Sequence, residues 1–351
     1  MLRIVLDCRE YDSLRPEAPR VYGASEPLVC RLATSLVKAG HLVDAVYKGD
    51  KELFLEGVRW WPYERHPKTC DVLISCEWLI LEHEFEYKRL YVPLNKINPI
   101  LAQKEDKVNG FIVFSEEHKR QLLFINPTIK EEQVVLIPPG VEIPETLGPK
   151  VHHRLLWSNT PERGLVHLAR AWPRLLAHVP DATIAITYGV ERSWNTNKWL
   201  MDNIAEELLE VRRWVKDNPQ SVIDMGRVKK AQLLAAQAAA ELYPYPADAP
   251  LPGIVHAFVV MEAAAAGCAI LLSRLEGLPE VFKDCADFLD IPVNPKEWAE
   301  VMADILLDDR RKKAMGERAH EWALGHPWSE WEEKWKTLVE GGVWSKQPSP
   351  V

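Results

Sequence analysis

The sequence lacks an excess of basic residues. Its formal net charge is -8 at pH 7, with 43 lysines and arginines against 51 aspartates and glutamates. Proteins that bind nucleic acids usually carry a basic surplus on the surface that contacts the phosphates. The charge balance therefore argues against DNA or RNA as a general partner, although it remains compatible with a local basic groove.

The sequence also has few cysteines and no long apolar run. The six cysteines are scattered, which excludes metal-ligand spacing and a dense disulfide pattern and predicts reduced thiols in a cytoplasmic protein. No segment reaches about 18 uninterrupted apolar residues, so we expect no integral membrane segment. The first residues, "MLRIVLDCREYD", lack the basic flank and the apolar core of a signal peptide.

Short β-rich runs alternate with longer helical patterns along the whole chain. "RIVLD" is followed by a helical segment and the strand "HLVDAVY", and the same pattern restarts at "RLLWSN". This alternation predicts an α/β protein with parallel sheets. A proline- and glycine-rich stretch near residues 145–150 predicts a linker. We therefore predict one domain over residues 1–148, a second over residues 149–326 and a C-terminal helix over residues 327–342.

A lone glutamate stands inside the apolar stretch "HAFVVMEAAAAGCAILLS". We predict a helix that begins near Met261, with Glu262 in its first turn. A helix N-terminus favours an anion such as a diphosphate, and a carboxylate beside it would accept hydrogen bonds from hydroxyl groups. Since open parallel sheets bind ligands at the carboxyl ends of their strands, we expect the functional site there. The alternative is that Glu262 only caps its helix.

Several segments follow one another in a recognisable order. They are "YGASEPLVCRLATSLVKAGHLVDAVY", "FIVFSEEHKRQL" with "VVLIPPGVEIP", "PERGLVHLARAW", "VIDMGRVKKAQLL", "VVMEAAAAGCAILLS" with "EGLPEVF", and "HPWSEWEEKWKTLV". In this order they resemble glycosyltransferase family 4 (glycosyl transferases group 1), over nearly the whole chain. The resemblance implies the GT-B fold, in which two Rossmann-like domains face a central cleft and a C-terminal helix crosses back to the first domain.

The resemblance also implies roles for individual residues in binding a nucleotide-sugar donor. Glu262 matches the glutamate that bonds the ribose hydroxyls, and Arg163 matches a basic residue that holds the diphosphate. The other matched positions are Gly23 and Ala24 in the loop close to the donor, Tyr188, Gly189, Arg227 and Val228 beside the base, and Phe258 and Val259, whose backbone amides match phosphate contacts.

The sequence departs from the family pattern at three positions. Ile254 stands where a second glutamate usually contacts the transferred sugar, and Ser158 stands where many members carry a basic residue. Asn95 stands where a histidine is common near the reacting carbon. Asn95 and His256 are therefore the candidates for a catalytic polar contact, although a lone histidine between apolar residues, such as His256, is more often only a packed or hydrogen-bonded one.

The resemblance implies transfer of a sugar from a nucleoside diphosphate to an acceptor hydroxyl, with retention, without a metal and without a further cofactor. The donor would be a UDP- or GDP-sugar. The acceptor stays open among a glycan, a small molecule and modified DNA. Two alternatives accompany this interpretation: a DNA-modifying glycosyltransferase that acts on hydroxymethylated bases, and a protein that binds a nucleotide sugar without transferring it.

Overall fold

The computed structural model describes residues 1–9, 11, 14, 16–17, 25–76, 85–93, 107–190, 198–248 and 257–341. The chain divides into two compact units, Met1–Gly140 with Trp328–Val351, and Val141–Pro327. The second unit begins before the predicted boundary at residue 148, because the Val141 N–H donates to the carbonyl of His326 at 2.9 Å and attaches this segment to the second unit.

The first unit is built on an eight-stranded sheet in the order β3-β4-β2-β1-β5-β6-β7-β8. All neighbours pair in parallel except β3 and β4. Its strands are β1 (Arg3–Asp7), β2 (Leu42–Tyr47), β3 (Leu53–Leu55), β4 (Val58–Pro62), β5 (Val72–Ser75), β6 (Arg89–Pro93), β7 (Gly110–Val113) and β8 (Val134–Leu136). Its described helices are α1 (Ser25–Lys38), α2 (Glu116–Ile125) and the C-terminal α10 (Trp328–Val339).

The C-terminal helix α10 packs on the first unit. Trp331 and Trp335 are four positions apart and therefore lie on one face of the helix, and each is only 2% exposed. Arg31 of α1 lies over the ring of Trp328, 4.7 Å from its centroid, and its guanidinium pairs with Glu332 at 3.0 Å. The chain therefore returns to its first unit, as the predicted GT-B architecture requires.

The second unit contains a six-stranded, fully parallel sheet in the order β11-β10-β9-β12-β13-β14. Its strands are β9 (Arg154–Trp157), β10 (Thr183–Ile186), β11 (Val222–Asp224), β12 (Leu242–Tyr245), β13 (Ala269–Ser273) and β14 (Asp287–Leu289). Its helices are α3 (Leu165–His178), α4 (Lys198–Asp217), α5 (Lys230–Ala239), α6 (Phe258–Ala265), α7 (Leu278–Phe282), α8 (Pro295–Leu307) and α9 (Asp309–Leu324).

The strands of the second unit are apolar on both faces because helices cover both faces of a parallel sheet. Every residue of β12 and β13 is buried. One contiguous core joins these strands to α3, α6, α8 and α9. Among the described helices, none combines the length and the hydropathy of a membrane span.

Candidate nucleotide-sugar site

The strand order of the second unit places a switch point between β9 and β12. The chain proceeds from β9 outward to β10 and β11 and then returns to the other side of β9 with β12. Two neighbouring loops therefore leave the carboxyl ends of β9 and β12 in opposite directions, and ligands of open parallel sheets bind in the crevice that this produces. Most of the described site residues predicted from the sequence lie along this edge.

Glu262 lies in the second turn of α6, so the predicted helix start near Met261 was wrong. The helix begins at Phe258, and the N–H groups of Val260 and Met261 already donate to the carbonyl of Ala257. Val260 and Met261 are buried in the core, and this burial outweighs the β-propensity of the valine-rich run. Because Glu262 is the fifth helical residue, the interpretation that it caps the helix is contradicted.

The Glu262 carboxylate is held by two side chains of α5. Lys230 Nζ lies 2.5 Å from Glu262 Oε1, and Gln237 Nε2 donates to Oε2 at 3.0 Å. The Glu262 side chain is 25% exposed and the Lys230 side chain 33% exposed, so this ion pair lies at the rim of the unit rather than in its core. The three side chains line a pocket together with the apolar Leu147 and Leu234.

The loop after β9 is tied to β12 by two hydrogen bonds. Ser158 Oγ donates to the hydroxyl of Tyr243 at 3.2 Å, and Asn159 Nδ2 donates to the hydroxyl of Tyr245 at 3.0 Å. Burial raises the pKa of Tyr245 to about 12, and the nearby charge of Arg163 opposes this shift. Both strands are thereby fixed at the switch point, and Ser158 is occupied by a structural contact at the position where many family members carry a basic residue.

Arg163 ends a short 3-10 turn (Pro161–Arg163) that follows β9 and leads into α3. The next residue, Gly164, has φ 109°, and a Cβ there would lie 2.3 Å from the carbonyl oxygen of Pro246. Only glycine fits this approach, because a side chain would clash with backbone and would favour another conformation. The β9 and β12 loops are consequently packed against each other beside Arg163.

Tyr188, Gly189, Arg227 and Val228 are brought together after β10 and β11. The guanidinium of Arg227 lies over the Tyr188 ring, 5.4 Å from its centroid, and the Val228 N–H donates to the carbonyl of Thr187. Gly189 has φ 82°, and a Cβ there would lie 3.2 Å from the backbone of the β11 loop. The pairs predicted to lie beside the base thus form one contiguous surface.

Buried polar atoms without a hydrogen-bond partner among the described residues also occur at this edge. They include Glu162 Oε2 and Ser273 Oγ, and His167 Nδ1, whose other ring nitrogen lies 2.7 Å from Asp248 Oδ2. Glu276, in the loop after β13, has a positive φ of 45°. Unpaired buried polar atoms are uncommon and require a partner such as a ligand or a water, and strained backbone clusters at ligand sites.

Several predicted residues lie outside the described residues. They are Gly23, Ala24, Asn95 and His256, together with Ile254. The sequence analysis did not identify Lys230, Gln237, Asn159 or the two tyrosines of β12 as site residues. Lys230 and Gln237 approach Glu262 only through the packing of α5 on α6.

The amides of Phe258 and Val259 lie in the first turn of α6, where a helix presents N–H groups and a partial positive charge.

Comparison with solved structures identifies the class of fold. The structure is similar to sucrose-phosphate synthase from Thermosynechococcus elongatus, with a TM-score of 0.73, 16% identity and coverage of 97% of this chain and 98% of that one. It is also similar to Anabaena HepE in complex with UDP and glucose, with a TM-score of 0.71, 13% identity and coverage of 97% and 100%. The fold is that of the GT-B glycosyltransferases, which confirms the predicted fold class.

Residues 159–322 match the family described as glycosyl transferases group 1. The resemblance recognised from the sequence motifs is therefore confirmed for this segment, which is similar to the group 1 glycosyl transferases. The matched range contains Arg163, Tyr188, Arg227 and Glu262 and falls within the second unit.

Two curated relatives are mannosyltransferases. A phosphatidyl-myo-inositol mannosyltransferase of Mycolicibacterium smegmatis is 27% identical over 247 residues, which is 67% of this chain and 58% of the relative. A GDP-mannose-dependent monoacylated alpha-(1-6)-phosphatidylinositol monomannoside mannosyltransferase of Corynebacterium glutamicum is 27% identical over 175 residues, which is 46% of this chain and 41% of the relative. The chain spans about half the length of the curated relatives it matches.

Proposed function

We propose that this protein transfers a sugar from a nucleoside diphosphate to an acceptor hydroxyl, with retention at the anomeric carbon and without a metal ion in the transfer step. The donor binds at the carboxyl edge of the second unit's sheet. The observation that carries the proposal is the partly exposed Glu262 carboxylate, which α5 holds at the rim of a pocket, inside the segment that matches a glycosyltransferase family.

Glu262 is suited to bind the ribose of the donor. A carboxylate accepts hydrogen bonds from two neighbouring hydroxyls, and bonds to a charged group contribute about 1.5 to 3 kcal/mol each. The pair with Lys230 keeps the carboxylate oriented before the donor arrives, and its partial exposure leaves lone pairs accessible to the ligand. Lys230 also brings a positive charge near the ribose and the adjoining phosphate.

Two features stabilise the leaving diphosphate in this proposal. Negative charge accumulates on the diphosphate as the bond to the sugar breaks, and fixed positive groups lower the barrier of such a step. The first turn of α6, at Phe258 and Val259, supplies N–H groups and the positive end of the helix dipole. Arg163 supplies a guanidinium whose planar fork suits phosphate oxygens. These groups provide the electrostatic help that other enzymes obtain from a divalent cation.

The names of the relatives guide the choice of substrates to test. One relative is named for GDP-mannose, and one structural neighbour was solved with UDP and glucose. Both curated relatives are named for phosphatidylinositol-based acceptors. We propose a nucleoside diphosphate hexose as the donor class and a polyol or glycan hydroxyl as the acceptor class.

The test is release of nucleoside diphosphate from GDP-mannose, UDP-glucose and ADP-glucose in the presence of phosphatidylinositol, simple glycans, hydroxymethylated DNA or unmodified DNA. The proposal predicts that one donor is consumed faster with one acceptor, that a chelator leaves the rate unchanged and that the product keeps the anomeric configuration of the donor. Glu262→Gln should reduce the rate. Consumption only with hydroxymethylated DNA would favour the DNA-modifying alternative, and donor binding without product would favour a binding protein.

A further inference from the structure

Two histidines and an aspartate meet at the opposite edge of the second unit's sheet. The potential ligand atoms of His152, His153 and Asp181 all lie within 4.8 Å of one another. His153 Nδ1 is 2.7 Å from Asp181 Oδ1, and His152 Nε2 is 4.0 Å from Asp181 Oδ2. The two imidazole rings stack with centroids 3.6 Å apart. The group therefore offers two nitrogens and a carboxylate to one point in space.

The backbone fixes this arrangement. The Arg154 N–H donates to the carbonyl of Val151 at 3.1 Å, which closes a turn with the two histidines at its centre. His153 adopts a positive φ of 49°, an uncommon conformation for a residue with a side chain. Its N–H donates to Glu241 Oε2 at 2.8 Å, and its carbonyl accepts from the Thr183 N–H. The turn is thus held from both sides, and the ligand atoms need little rearrangement.

The surroundings of the cluster favour a cation. The carboxylates of Glu241 and Asp309 lie nearby, where both contact Lys312, at 2.8 Å and 3.0 Å. The bond from Lys312, with smaller contributions from the two histidines, lowers the pKa of Asp309. Three carboxylates at this edge therefore outnumber two cations, the Lys312 ammonium and the Arg154 guanidinium, which contacts Thr183 Oγ1, and the excess negative charge attracts a divalent ion.

We propose that His152, His153 and Asp181 form a binding site for a zinc ion. Imidazole nitrogens with one carboxylate suit a borderline transition metal such as Zn²⁺, whereas Mg²⁺ and Ca²⁺ prefer oxygen ligands. A small shift of the exposed His152 side chain brings its nitrogen to the metal, and water completes the tetrahedron. The ion links the turn before β9 to the turn before β10.

This zinc site is separate from the donor site. The cluster precedes the amino ends of β9 and β10, whereas Ser158 and Thr187 follow their carboxyl ends. The strands of four residues between them place the two edges roughly 13 Å apart at about 3.3 Å per residue. The zinc ion would thus bridge two turns and stabilise the second unit, and it would not contact the reacting sugar.

The test is calorimetric titration of the full chain, free of any tag and of bound metal, with zinc chloride and with magnesium chloride. His152→Gln and Asp181→Asn each remove one ligand from an exposed position, so both variants should fold. His178→Gln is the matched control, since it removes an exposed histidine at the end of α3 that is not part of the cluster. The melting temperature with and without zinc provides a second readout.

We expect one zinc ion per chain, no binding of magnesium and a higher melting temperature with zinc. His152→Gln and Asp181→Asn should each lower zinc affinity on the order of tenfold or more and remove most of the thermal shift, while His178→Gln should match the wild type. Absence of zinc binding by the wild type would overturn the proposal. Equal losses in His178→Gln and His152→Gln, or no loss in His152→Gln, would overturn it as well.

Discussion

Replacing Glu262 with glutamine should separate ligand binding from structural stability. In Glu262→Gln the side chain keeps its shape and one neutral acceptor but loses its charge. Hydrogen bonds to a neutral acceptor contribute about 0.5 to 1.5 kcal/mol, against about 1.5 to 3 for a charged one. Two ribose hydroxyls therefore lose about 2 kcal/mol together, which corresponds to a Kd about 30-fold higher for the nucleoside diphosphate, since about 1.4 kcal/mol is tenfold.

The effect of the same variant on folding should be small. Lys230 and Glu262 are partly exposed, at 33% and 25%, and ion pairs at such positions stabilise a protein by about 1 kcal/mol or less. The lysine left without its partner remains hydrated. We therefore expect the free energy of unfolding to fall by about 1 kcal/mol or less, with an unchanged circular dichroism spectrum.

The assay is calorimetric titration with GDP and with UDP, together with urea unfolding. Glu300→Gln is the matched control, because Glu300 also pairs with a basic residue, Arg174, on the exposed surface of the same unit. The control should bind the nucleotide as the wild type does. A Glu262→Gln variant that binds the nucleotide with wild-type affinity but unfolds more easily would refute the assignment, and Glu262 would then have only a structural role.

Three other perturbations have expected outcomes. Lys230→Met should weaken nucleotide binding about fivefold, because it removes about 1 kcal/mol of attraction between the ammonium and the anionic ligand. Lys229→Met, at the exposed neighbouring position, should leave the affinity unchanged, and calorimetry measures both. Gly164→Ala should lower the free energy of unfolding by more than about 2 kcal/mol, because Gly164 has a positive φ and a Cβ there would clash with backbone. Gly226 has φ 65° and open space around it, so Gly226→Ala should lower the free energy of unfolding by only about 1 kcal/mol. Burial lowers the pKa of His118 to about 4, so the unfolded chain takes up a proton at this histidine first as the pH falls. The free energy of unfolding should therefore decrease by about 2 kcal/mol between pH 7 and pH 5. Urea unfolding at the two pH values should show a smaller decrease in His118→Gln.

The strands of both units could be predicted from the sequence because their burial produces a clear pattern. "RIVLD" coincides with β1 (Arg3–Asp7), and "RLLWSN" contains β9 (Arg154–Trp157). Continuous apolar runs bounded by polar turns are what strands buried on both faces require. The antiparallel pair of β3 and β4 was not singled out, because its strands are short and partly exposed. Its turn residues, Glu56 and Gly57, both have positive φ, and "EG" is a weak turn signal.

The candidate site could be predicted only in part. Arg163 and Glu262 could be identified from their positions in family motifs. The carboxyl ends of the predicted parallel strands identified the edge of the sheet on which these two residues lie. The start of α6 was wrong by about one turn, since the valine-rich run is helical through tertiary burial rather than through its own propensity. Lys230 could not be predicted as a partner of Glu262, because 32 positions separate them and only the packing of α5 on α6 brings them together.

The measurement that tests the central claim most directly is hydrogen exchange of the whole chain with and without the nucleoside diphosphate that binds most tightly. The account predicts slower exchange in the loops after β9, β10 and β11 and in the first two turns of α6, residues 158–164, 187–189, 225–228 and 258–262. The turn at residues 151–154, at the opposite edge of the sheet, should exchange as before. Binding that leaves those four segments unprotected would contradict the account.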